Sequence, residues 1–257
     1  MSAKGAGATM AFAARGKGLS MKITTTVGAL LLIGTGLLTG CTETIDSKNL
    51  KTAGISATIR ATATSDAETT LLATLKAGGD ESNTYVALGG GDRIFASGND
   101  KRVEMTAQST GVYEAEFSLG AANTPFGVSL EREDGDNAPN SAGTLPAPFS
   151  LTALGTEPVS RKADLTIEWT AATDGDAMHI HLDGNCIFFE DIDVPGDTGS
   201  HTIAANTLKP TNSQMPESCD VKVEVSRSRQ GKPDTKFDSE STFVLEQVRT
   251  TKFTSAP

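Results

Sequence analysis

From residue 55 onward, apolar side chains recur at every second position, and no other feature limits the fold so tightly. In ISATIRATA, Ile55, Ala57, Ile59 and Ala61 alternate with Ser56, Thr58, Arg60 and Thr62. VYEAEFSL sets Tyr113, Ala115, Phe117 and Leu119 against Val112, Glu114, Glu116 and Ser118, and PFGVSLERE repeats the pattern with Phe126, Val128 and Leu130. Successive side chains of a strand point to opposite faces, so this period describes strands with one buried and one wet face, the habit of antiparallel sheets. Turn-forming clusters (AGGDESN, GGGDR, SGNDK, EDGDNAPNS) separate the runs.

After residue 160 the same habit returns in DLTIEW, AMHIHLDG, DVKVEVSRS and STFVLEQV, and no run in the body of the chain keeps helical spacing. Short strands about 8–12 residues apart predict sandwiches. Between the two zones, Pro146, Pro148 and Pro158 cannot donate ladder hydrogen bonds and so mark a break. The expected organisation is all-β: a β-sandwich over 55–152, a linker at 153–160 and a second sandwich over 161–257. The stretch LTIEWTAATDGDAMHIHL, a strand with Trp169 turned inward, a turn and another strand, resembles fibronectin type III and related immunoglobulin-like domains. That resemblance implies an immunoglobulin-like antiparallel β-sandwich for the second zone, with Trp169 filling the space between its sheets. The first zone, which has no Trp, is assigned to the same class on alternation alone.

The N-terminus has a different character. Residues 1–40 hold Lys4, Arg15, Lys17 and Lys22, no acidic residue, and an apolar run over 27–38. A basic segment, about 7–15 apolar residues and then small residues is the layout of a secretory signal peptide. The run is shorter than the about 20 residues a spanning helix needs. It ends in Leu38, Thr39, Gly40 and Cys41, which resembles the lipobox of bacterial lipoproteins. The resemblance implies cleavage before Cys41, a diacylglycerol thioether on its sulfur and an acylated amino group. Thr42 is not the aspartate associated with inner-membrane retention in some lipoproteins, so the outer membrane is the favoured address. Met21 begins a signal of ordinary length, so it stands beside Met1 as an alternative start. Residues 42–54 are polar and read as a tether.

Export bears on the other two cysteines. Cys186 and Cys219 are expected to form a disulfide, as isolated pairs do in oxidising compartments, with two buried free thiols as the alternative. A disulfide closing this loop is worth roughly 3–4 kcal/mol in the chain-entropy model.

Composition limits the function classes. The formal net charge is -10, which disfavours nucleic acid, whose phosphates demand clustered Lys and Arg. Aromatics make up only 5%. The densest chemistry is HIHLDG, where His179, His181 and Asp183 share one strand face and could ligate zinc or copper, with His201 as a further donor. The competing reading makes them the wet face of a half-buried strand. Acidic stretches DGDN, DGDA and EDIDVPGD invite calcium, but Pro195 and Thr202 stand where the EF-hand needs oxygen ligands. LGGGDR lacks phosphate-loop spacing, and no G-x-S-x-G elbow marks a nucleophile. The sequence therefore predicts a lipid-anchored, non-enzymatic envelope module without cofactor. That module serves either binding, with an envelope protein or polysaccharide as the possible partner, or structure, and a metal-binding protein using His179, His181 and Asp183 is the rival.

Overall fold

A computed structural model describes residues 42–215 and 217–257. The proposed signal segment and Cys41 lie outside the described residues. The first strands are β1 (Glu43–Asp46), β2 (Ile55–Ser65), β3 (Glu68–Ala77), β4 (Thr84–Ala87), β5 (Arg93–Gly98), β6 (Lys101–Glu104), β7 (Thr106–Ser109), β8 (Val112–Phe117), β9 (Pro125–Glu131) and β10 (Ala138–Thr144). They are followed by β11 (Val159–Ser160), β12 (Leu165–Glu168), β13 (Ala177–Asp183), β14 (Glu190–Val194), β15 (Ser200–Ile203), β16 (Cys219–Gln230) and β17 (Thr242–Ala256). The fold is all-β, relieved among the described residues only by two single-turn 3-10 helices at 47–49 and 52–54. Among the described residues no helix is long and apolar enough to cross a membrane.

One large sheet runs in the order β1-β4-β3-β2-β17-β16-β13-β14, with β8, β7 and β11 paired off that path. Two smaller sheets, β10-β9-β5-β6 and β12-β15, complete the architecture. The alternation read from the sequence is the alternation of burial. Ile55, Ala57, Ile59, Ala61 and Ala63 of β2 pack with Leu71, Ala73 and Leu75 of β3 against Ile94, Ala96, Phe126, Val128 and Leu130 of the β10-β9-β5-β6 sheet. This is a two-layer sandwich. A second one forms where Met178, Ile180 and Leu182 of β13 and Val221, Val223 and Val225 of β16 meet Leu165, Ile167 and Ile203 of the β12-β15 sheet, with Trp169 in the same core.

The cores do not divide the chain into two halves. Phe243 and Leu245 of β17 belong to the first core, and Phe253 of the same strand belongs to the second. β17 pairs parallel with β2 from Thr242↔Thr58 to Gln247↔Ala63, then continues antiparallel to β16 as far as Cys219↔Ser255. Most pairings are antiparallel, but β17–β2, β1–β4 and β11–β17 are parallel. Residues 153–160, expected as a linker, run beside the second core: the Leu154 amide donates to the Thr251 hydroxyl, and Val159 pairs with Ser255.

The segment 42–54, expected as a tether, is instead built into the first core. β1 extends the large sheet by pairing with β4, and Ile45 and Leu50 pack on the apolar cluster. Polarity misled here because a buried guanidinium consumes it. Arg132, its side chain fully buried, pairs with Asp92 at 2.8 Å and donates to the Ser47 carbonyl at 2.6 Å, the Leu50 carbonyl at 3.1 Å and the Thr52 hydroxyl at 3.0 Å. A cation with five donors and no acceptor can satisfy a turn's carbonyls where strand pairing cannot.

Between the two cores lies a polar waist. β16 keeps its inward register past Val225, so Arg227 and Arg229 point inward, as do Gln247 and Arg249 of β17. The crossing segment contains Pro146 and Pro148, whose missing N–H groups rule out a full ladder, and its carbonyls need donors. Arg229 donates to Leu145 O, Gln247 to Pro146 O, and Arg227 to Ala147 O and Pro148 O, all within 3.3 Å. Asp197 neutralises Arg227 at 2.6 Å with both side chains buried. Asp176 holds Arg229 in two hydrogen bonds of 2.8 Å.

Candidate functional site

The described residues concentrate unusual chemistry at the far end of the second core. Cys186 and Cys219 are joined in a disulfide with a Cα–Cα separation of 5.7 Å. It staples the β13–β14 loop to the first residue of β16, at the end of the loop that leads into that strand. Backbone bonds reinforce the staple: the Phe188 amide donates to the Lys209 carbonyl and the Thr211 amide to the Cys186 carbonyl. On these loops Phe188, Phe189 and Met215 are 60%, 65% and 67% exposed. They are the exposed large apolar side chains of the described chain. An exposed phenyl pair on a covalently fixed loop is costly in water and marks a contact surface more than a packing need.

Beside the phenyls runs a histidine–aspartate ladder. β13 presents His179 and His181 on its outer face, as the sequence spacing requires. The antiparallel register sets His179 opposite Asp193 and His181 opposite Asp191. His179 Nδ1 lies 2.9 Å from Asp193 Oδ1 and its Nε2 3.2 Å from Asp191 Oδ1, while His181 Nδ1 lies 2.6 Å from the same Asp191 oxygen. The His181 ring sits 6.2 Å from that of Phe189, centroid to centroid. Across the other neighbour, β16, the partners are Ser226 and Glu224; Glu224 is engaged by Lys222 at 2.9 Å.

Burial pushes the His179 imidazole down, but hydrogen bonds and charge from Asp193 and Asp191 outweigh it, so its pKa lies above the ordinary 6.5. The His181 hydrogen bond, helped by His179, holds the Asp191 carboxyl below its usual range against an opposing desolvation.

The expected ligand trio is only partly assembled. His179 and His181 are brought together, but by Asp191 and Asp193; Asp183 stands opposite Lys222 in the sheet register. His201 lies on β15 in the small sheet, paired with Ile167. Among the described residues no group of three or more His, Cys, Asp or Glu side chains is arranged to hold a metal ion. In DGDA and EDIDVPGD, two of the stretches considered for calcium, the carboxylates serve other ends. Asp174 and Asp176 face Arg229, Asp197 is buried on Arg227, and Asp191 and Asp193 sit on a strand, not in a loop.

A second feature is an open cleft of about 710 Å³ at the waist, lined by Ser65, Asp66, Phe149, Ser150, Thr170 and Arg249. Its guanidinium points inward. Arg249 donates to the carbonyls of Ala63 and Val248 and to Asp66, and burial holds its pKa below the ordinary value. The waist arginines and the exposed Phe pair were not singled out from sequence; the one available cue was FF beside Cys186, flanked by EDID.

No family model and no curated protein matches the chain. Solved structures do. A two-domain fibronectin type III segment of chicken tenascin is 12% identical over 76% of this chain and 98% of that one, with a TM-score of 0.22. The adhesin InvE of Yersinia pseudotuberculosis is 14% identical over 76% of this chain and 60% of that one, at 0.23. The fibronectin(III)-like modules of Clostridium thermocellum CbhA are 16% identical over 76% and 91%, at 0.21. At such TM-scores these likenesses carry no argument, and the all-β sandwich fold rests on this chain's own sheets.

Proposed function

We propose that the chain is an exported bacterial lipoprotein, anchored in the cell envelope through acylated Cys41 and non-catalytic, and that its folded part serves binding or structure. The observation that carries this reading is the polarity of the large sheet. Through β4, β3 and β2, Glu43 of β1 lies level with Ile55, at the start of the sheet. β17 then carries the sheet past the end of β2 to Ser255, which pairs with Cys219 of the disulfide. Glu43, two residues after Cys41, and the stapled loops therefore sit at opposite ends of one continuous sheet. A chain held at Cys41 would present Phe188 and Phe189 away from the bilayer.

The disulfide supports an oxidising destination, and the apolar run ending in Leu38-Thr39-Gly40-Cys41 supports the lipid. Each buried acyl CH₂ contributes about 0.8 kcal/mol, and two or more chains give stable anchoring. Thr42 favours the outer membrane. The test is intact-mass spectrometry of the protein from its native membrane, with and without thiol alkylation. The expected species is Cys41–Pro257 plus acyl chains, with Cys186 and Cys219 unreactive. A mass beginning at Met1 or Met21 without lipid overturns the anchor.

A further inference from the structure

We infer that the outer edge of β14, together with Phe188 and Phe189, is a docking site for an extended segment of a partner protein that carries basic side chains at alternate positions and an apolar end. The inference rests on the proposed display role and names its surface and partner. Three observations meet at this place. First, β14 is the last strand of the large sheet and pairs, among the described residues, only with β13. Its other edge offers backbone N–H and C=O groups to an added strand. Second, the two phenyls lie in the loop that enters β14 and stay exposed because the disulfide fixes that loop. They can take apolar side chains of an incoming strand without first ordering themselves, which lowers the entropy cost of binding.

Third, the edge is acidic. Glu190, Asp191 and Asp193 occupy it, with Asp193 fully exposed, and β14 carries no basic residue. This charge selects the occupant. An anionic lipid surface is repelled, and the tip faces away from the anchor. A second copy would set the same carboxylates against each other, and like charges directly opposite destabilise paired strands. Phe189 shares the face of Asp191 and Asp193, its ring beside that of His181, so a strand with Lys or Arg opposite the two carboxylates and apolar residues at the end beside the phenyls meets both.

The probe is a capped, fluorescently labelled peptide of roughly nine residues, a common strand length, alternating Lys and Val over one half and all Val over the other, titrated into the full mature chain. A Glu–Val peptide is the control. We expect saturable binding of the basic peptide alone, with slowed hydrogen exchange at the amides of residues 190–194. F188S/F189S leaves the charge unchanged and should weaken binding about tenfold or more, a cost of about 1.4 kcal/mol. D191N/D193N should weaken it as well. Both variants replace exposed side chains, and an unchanged melting temperature shows that they fold. Binding that survives F188S/F189S, unaltered exchange in β14, self-association through the same residues, or binding to phosphatidylglycerol vesicles would each overturn the inference. Peptide binding is read without reference to the lipid, so a failure here is distinct from a failure of the anchor.

Discussion

At the scale of single residues, His179 is the group whose environment makes the sharpest statement. Two carboxylates face it from β14, so its protonated form is favoured in the fold. A pKa raised on folding adds stability that is fully present below the unfolded value, about 6.5, and is lost as pH rises through the folded one. Asp191 works in the opposite sense: its depressed pKa adds stability above the usual carboxylate range that is lost as pH falls through the folded value. The ladder is thus strongest on the acid side of neutrality, between those two limits. Both partners are substantially exposed, so solvent keeps the effect small. In an NMR titration we expect the His179 ring to titrate above 6.5 and to move downward in Asp193→Asn. A midpoint at or below 6.5 in the native chain would mean that burial, not the carboxylates, governs this imidazole.

At the scale of elements, the strands that matter most are those whose inward face changes chemistry midway. β16 buries Val221, Val223 and Val225 and then, in the same register, Arg227. Asp197 is the counterion of Arg227 and also accepts from the Trp169 indole N–H at 2.7 Å and the Ala172 amide at 2.8 Å. Asp197→Ala would strand a buried cation and two donors at once. Arg227→Met would take the counterion from Asp197 and donors from the Ala147, Pro148 and Thr170 carbonyls, but would leave the carboxylate its two other donors. Removing one partner of a buried pair costs about 3–5 kcal/mol, so we expect Arg227→Met within that range and Asp197→Ala, which also strands two donors, at or above its top, read by urea denaturation. Equal losses would show that the pair acts as a unit through its charge alone.

These elements also show what the sequence could reveal. Alternation exposed β2, β8, β9, β12 and β13 with their buried faces, because one apolar face per strand is a local property. Trp169 was legible as a core residue for the same reason, and Cys186–Cys219 from the export signal. Hidden were the parallel β17–β2 pair, which joins residues more than 180 positions apart with no local trace, and the inward Arg227, which the polar alternation disguises as a wet-face residue. The segment 42–54 looked like a tether because its burial depends on Arg132, some 80 residues away. At the candidate site the histidine face was legible, whereas Asp191 and Asp193 joined it only through a strand register that the loop-like EDIDVPGD concealed.

At the scale of the whole molecule, sharing strands between two cores has a thermodynamic consequence. Two sandwiches joined by a flexible linker would melt separately, each at its own temperature. Here β16 and β17 run unbroken from one core to the other, and the waist carbonyls are tied down by Arg227, Arg229 and Gln247. Unfolding one core frees half of a strand on which the other depends. We therefore expect one calorimetric transition, with its calorimetric and van't Hoff enthalpies in agreement. Leu245→Ala, in the first core, and Phe253→Ala, in the second, should each remove about 2–5 kcal/mol and lower that same transition by about 2–4 °C per kcal/mol. Two transitions, each moved by only one substitution, would make the waist a hinge. The distinction bears on the proposed display: with the chain anchored as proposed, a single cooperative body would hold the acidic β14 edge and its phenyls at a fixed distance from the bilayer, whereas a hinge would let them sweep back toward it.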